Sequence, residues 1–100
     1  MREYTYIRDE IQKLGAFLIE EQLHPKVFGS AYCVFKTNNR NLFRLVWDGK
    51  EEYAFLELAK SQENWEVISP NVNAVSNPKN PKLLALLSTA KVLIHGTFTA

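Results

Sequence analysis

Residues 27–47 read VFGSAYCVFKTNNRNLFRLVW, two apolar stretches on either side of a polar break. Both stretches are rich in β-branched and aromatic residues, which suit a pleated surface. Asn38-Asn39 tolerates the positive φ of a tight hairpin turn, so the spacing predicts two antiparallel strands over 27–37 and 41–47. A two-residue loop pairs Val34 with Phe43, Tyr32 with Leu45, and Ser30 with Trp47. One face then carries Phe28, Tyr32, Val34, Phe43, Leu45 and Trp47. The other carries Ala31, Cys33, Phe35, Leu42, Arg44 and Val46. Neither set suits bare water, so whatever the rest of the chain does, it must shelter this ribbon on two sides.

Two amphipathic segments can provide shelter. Ile7, Ile11, Leu14 and Leu18 recur at helical spacing. Thr5 is placed to cap that helix, with Asp9 and Glu10 near its positive end. Gly15 costs about 1 kcal/mol there relative to Ala and is read as a close approach to the sheet. His24-Pro25 ends the segment, because proline disfavours helix in the residue before it. Near the other end, Asn80 caps a helix with Pro81 at its first position. Leu83, Leu87, Ala90 and Ile94 line one side of it, Leu84 widens that side, and Gly96 stops it after His95. A competing reading ends this helix near Thr89 and turns VLIHGTFT into a last strand.

Between these segments, Asp48-Gly49 marks a second turn and KEEYAFLELAK a third strand. A three-residue loop adds Tyr53 and Phe55 to the aromatic face and sets Arg44 opposite Glu52 as a cross-strand ion pair. The alternative is a helix over 50–60, capped by Asp48 with Glu51 completing a capping box. A short strand at WEVIS follows, then a loop over 69–80 held open by two Asn-Pro dipeptides. The order is α-β-β-β-β-α. It predicts an α+β fold, an antiparallel meander of about four strands with an N-terminal and a C-terminal helix packed on it. At 100 residues the chain fits one domain spanning 1–100. The N-terminal helix is expected on the aromatic face. The C-terminal helix, or a second copy, is expected on the face bearing Cys33, Phe35, Leu42 and Val46.

Charge and composition narrow the function. The net charge of +1 gives no global field for nucleic acid or an anionic membrane. Residues 22–47 and 67–100 carry bases without acids, whereas 48–66 hold six acids, so neighbouring strands can neutralise one another. The lone Cys33 forms no disulfide within the chain, which is consistent with a reducing, cytoplasmic setting. MREYTYIRDEIQKL lacks the apolar core of a secretory signal, and no apolar run approaches a membrane span.

No constellation points to catalysis. His24 and His95 are far apart, and no Cys/His/Asp spacing resembles a metal site. Cys33 lies mid-strand, where an inert thiol is the default. Glu51, Glu52 and Glu57 fit solvated turns and edges. P-loop, dinucleotide and nucleophile-elbow motifs are missing, so no catalytic residue, metal or cofactor is assigned. Tyr32, Trp47 and Tyr53 near Lys36, Arg40 and Arg44 could stack bases, but the fold needs those aromatics for its core. The candidate ligand-binding residues are Tyr32, Trp47, Tyr53 and Trp65, with Arg44 or Glu52 fixing polarity. The expected function is non-catalytic binding, as a homodimer or with a protein partner, through an apolar sheet face or the C-terminal helix. The rival is a binder of a small apolar or aromatic molecule with an aromatic-lined cavity. The third option is a small enzyme, which would need a cleft around a strongly perturbed titratable group.

Overall fold

The computed structural model describes residues 2–73 and 79–96. The elements are α1 (Arg2–Lys13), β1 (Phe17–His24), β2 (Ser30–Lys36), β3 (Leu42–Asp48), β4 (Tyr53–Ala59), β5 (Trp65–Val67) and α2 (Pro81–Ile94). The five strands form one sheet in chain order, each antiparallel to its neighbour. This is the expected α+β meander between two helices, with one strand more than expected. Residues 50–60 supply β4 rather than a helix, and WEV forms β5.

The additional strand comes from the segment read as the second half of the first helix. That helix stops at Lys13 because Gly15 takes φ 112°, a conformation that costs glycine little and other residues much. FLIEEQLH then runs extended as β1, and Thr5 falls inside α1 instead of capping it. Gly15 makes no close approach to the sheet: a Cβ there would meet only Ile94 Cγ2 of α2, at an ordinary 3.6 Å, so its positive φ is what calls for glycine.

The hairpin register also differs from expectation. The β2–β3 connection covers Thr37–Asn41 rather than two residues. The Thr37 N–H donates to the Asn41 carbonyl at 3.0 Å, the Asn41 N–H donates to Thr37 Oγ1 at 3.1 Å, and Arg40 sits at φ 67°. Phe35 therefore pairs with Phe43, Cys33 with Leu45, and Ala31 with Trp47. A shift of one residue moves every side chain of one strand to the opposite face. Ala31, Cys33 and Phe35 thus join Phe43, Leu45 and Trp47, while Tyr32 and Val34 join Arg44 and Val46. The next turn holds four residues, not three, and brings Arg44 opposite Glu57 instead of Glu52.

Both helices cover the same face, contrary to the expectation of one helix on each. Tyr4, Ile7 and Ile11 of α1 and Leu83, Leu86, Ala90 and Leu93 of α2 share one buried cluster with Cys33, Phe35, Phe43, Leu45, Leu56 and Leu58. Fully burying each large aliphatic side chain contributes about 1.5–3 kcal/mol. Leu87 and Ile94, expected on the inner stripe of α2, lie at its margin. The Asn80 side chain accepts the Lys82 N–H at 2.9 Å, Pro81 opens the helix, and Gly96 follows it at φ 77°, as the sequence implied. The helix continues through Ile94 and a turn follows at His95-Gly96, so the last-strand alternative over 92–99 fails over 92–96, and its remaining residues, 97–99, lie outside the described residues. In the loop after β5, Val72 exchanges backbone hydrogen bonds with Ala54, both at 2.8 Å. The loop's residues 74–78 lie outside the described ones. The result is a slab of two layers, with extents of 33 × 31 × 20 Å.

Candidate functional site: the open face of the sheet

Placing both helices on one side leaves the other side of the sheet without a covering layer among the described residues. Alternation along each strand directs Tyr32 and Val34, Leu42, Arg44 and Val46, Tyr53, Phe55 and Glu57, and Trp65 and Val67 to this side. At its centre the Arg44 guanidinium lies 4.3 Å from the centroid of the Trp65 ring and 5.6 Å from that of Tyr32. Arg44 Nε donates to Glu57 Oε1 at 2.5 Å. The Tyr32 hydroxyl donates to Glu20 Oε2 at 2.9 Å. That hydrogen bond, with some help from burial, raises the Tyr32 phenol above its ordinary value. A polar track thus runs from β1 to β5, and each of these charges has its partner in the same molecule. Around it the face is aliphatic and aromatic.

One end of the face is built by two turns packed backbone to backbone. A Cβ on Gly49 would sit 1.9 Å from the Phe28 carbonyl oxygen, so only glycine fits there. The Gly49 N–H donates to Ser30 Oγ at 3.0 Å. Asp48 Oδ1 accepts the N–H groups of Lys50 and Glu51, both at 3.0 Å. Phe28 is held at φ 56° and is 68% exposed, with Lys50 Nζ 5.8 Å from its ring centroid. A bulky residue at positive φ is uncommon, and this one displays its ring to solvent. Beside it opens a cleft of about 450 Å³, lined by His24, Phe28, Tyr32, Val46, Tyr53 and Phe55 among others.

Of the six residues selected from the sequence, Tyr32, Arg44, Tyr53 and Trp65 lie on this face. Trp47 points into the core, 6% exposed, and reaches only the border of the cleft. Glu52 occupies the β3–β4 turn at φ 59° and borders a separate groove with Glu3, Glu51 and Asn73. The six therefore do not form one cavity, and Glu57 takes the role assigned to Glu52. Sequence reasoning missed Glu20, Glu57, Phe28 and Phe55 as part of the site. Glu57 was findable, because a four-residue turn after Asp48 sets it opposite Arg44.

A second polar cluster lies under α1. The Tyr4 hydroxyl donates to Glu21 Oε2 at 2.6 Å, and Arg8 Nη1 donates to the same oxygen at 2.8 Å. Burial would raise the Glu21 carboxyl, but these two hydrogen bonds outweigh it and hold the group below its usual range. Burial drives the Tyr4 phenol well above its ordinary value, and Cys33, wholly buried beside it, is pushed up to about 12 for the same reason. The thiol is neutral at physiological pH and inaccessible, which does not suit a nucleophile. Among the described residues no group of three or more His, Cys, Asp or Glu side chains is placed to hold a metal ion. No described helix is long and apolar enough to cross a membrane. No family model matches the chain, and no curated protein or solved structure matches it either.

Proposed function

We propose that this protein is a non-catalytic interaction module that forms a homodimer through the open face of its sheet. The observation that carries this reading is an uncovered, largely apolar sheet face whose central charges, Arg44 and Glu57, are paired with each other. A copy stacked there would cover Val46, Tyr53, Phe55 and Val67, and the Arg44–Glu57 pair beneath it would enter the interface already matched, which reduces the usual penalty for closing over charge. Five strands about 4.8 Å apart and seven residues at about 3.3 Å each give a plan area of roughly 550 Å². Side-chain relief and the Val27–Phe28 turn enlarge that toward the ~800 Å² per partner of a standard interface. The single cysteine supports a reducing, cytoplasmic setting.

Light scattering on the eluting peak tests the proposal. At micromolar concentration Phe55→Glu should halve the mass of the assembly while leaving the circular dichroism spectrum unchanged. A monomeric parent protein would refute it. The cleft supports a second reading, binding of a small aromatic molecule, since its volume lies within the usual ligand range. A thermal-shift screen separates the two: a ligand that stabilises the parent but not Tyr53→Ala favours the cleft.

A further inference from the structure

The sheet has two edges, and they are unlike. β5 is three residues long, whereas β1 has eight and lies at the outside of the sheet order. A free edge of that length is a template for another strand, and proteins usually guard it with lysine, proline or outward charge. Residues 17–24 contain neither Lys nor Pro. The two acids of β1 are drawn back onto their own subunit, Glu20 to Tyr32 and Glu21 to Tyr4 and Arg8. Phe17, Ile19, Leu23 and Val27 along this margin are each about half exposed. A register shift between Leu18 and Glu20 interrupts β1, but Glu20–His24 pairs regularly with β2.

We propose that the outer edge of β1 joins two copies of this chain, with residues 20–24 pairing antiparallel to themselves about a two-fold axis at Gln22. This contact rests on the edge alone and stands whether or not the open face is occupied. A two-fold normal to the sheet keeps like faces together, so each possible register is centred on one residue. Centring on Glu20 or Glu21 sets a carboxylate against its own copy, which is destabilising. Centring on Ile19 falls in the irregularity. Centring on Leu23 or His24 runs into Pro25, which has no N–H to give. Centring on Gln22 pairs amide with amide, Glu21 with Leu23, and Glu20 with His24 at both ends of the ladder. Tyr32 occupies one oxygen of Glu20 and leaves the other for the imidazole. The product is a continuous ten-stranded sheet with all four helices on one side.

Disulfide trapping tests the register. Gln22→Cys places a thiol beside its own copy, within the Cα range of a disulfide. Cys33 stays in place because it is fully buried. Under mild oxidation Gln22→Cys should form a covalent dimer roughly tenfold more than Glu20→Cys, whose counterpart lies about 14 Å away along the ladder. Peptide mapping should locate the link at position 22, and circular dichroism should match the parent in both variants. Equal trapping, or preferential trapping at position 20, overturns the register. Repeating the experiment in the Phe55→Glu background separates the two contacts. Trapping that persists there supports the edge even if the open face is never used. Trapping that vanishes there traces to the face and overturns the edge proposal.

Discussion

Replacing Tyr4 with phenylalanine deletes one oxygen and leaves the buried ring in place, so no cavity opens. That oxygen is the donor to Glu21 at 2.6 Å. A hydrogen bond to a charged group contributes about 1.5–3 kcal/mol net. Glu21 keeps Arg8, and its side chain is 25% exposed, so water replaces part of the loss and the low end applies. About 1.5 kcal/mol corresponds to a fall of about 6–12 °C in Tm for a domain of this size. The loss should also depend on pH. The folded pKa of Glu21 is depressed, so its contribution is complete above the unfolded value of about 4.3 and disappears as pH falls through the folded value. Thermal unfolding of both proteins at pH 7 and at progressively lower pH should show the two Tm values converging in acid. Equal Tm values at neutral pH would refute the reasoning, as would a deficit that persists unchanged once Glu21 is protonated.

Two further predictions concern the turns and the thiol. Gly49→Ala forces a methyl against the Phe28 carbonyl and should cost about 3 kcal/mol. Gly29→Ala meets open space but keeps φ 72°, and should cost only about 1 kcal/mol; thermal unfolding that ranks them the other way contradicts the packing described. The folded pKa of Cys33 is raised to about 12, so its contribution is complete below the unfolded thiol value and lost as pH rises toward the folded one. Between about pH 8.5 and 10, urea-derived stability should fall by up to about 1.4 kcal/mol per pH unit in the parent protein. It should fall distinctly less in Cys33→Ser, and parallel curves would argue against a buried neutral thiol.

The reliable parts of the sequence were those where local chemistry and burial agree. Asn80-Pro81 and Gly96 bracket α2, and the Asp48-Gly49 turn decided for β4 over a helix. Two elements were misread for identifiable reasons. FLIEEQLH is an edge strand with most of its residues exposed, so it carries no clear two-residue alternation. Its Glu and Gln residues, and Leu18 in phase with Ile7 and Ile11, imitate a helix; Gly15 was the only interrupting signal. In β2 both parities are apolar, Tyr32 and Val34 against Cys33 and Phe35. Hydrophobicity therefore could not choose the register, and the five-residue turn from Thr37 to Asn41 chose it. That one-residue shift also explains the site. Tyr32 and Arg44, assigned to opposite faces, lie together, and Trp47, assigned to a cavity, lies in the core.

Because every strand pairs only with the strand before or after it in the chain, the sheet can assemble through short loops, each cheap to close. The helices have the opposite relation: α1 and α2 meet only after nearly the whole polypeptide has been threaded between them. A ribosome therefore releases the sheet before the second of its two covering helices exists. Until α2 emerges, Phe35, Phe43, Leu45, Leu56 and Leu58 await half of their cover while the far side of the ribbon is bare as well. A nascent chain of this design is at its most adhesive just before α2 emerges, when a chaperone would have most to gain by holding it.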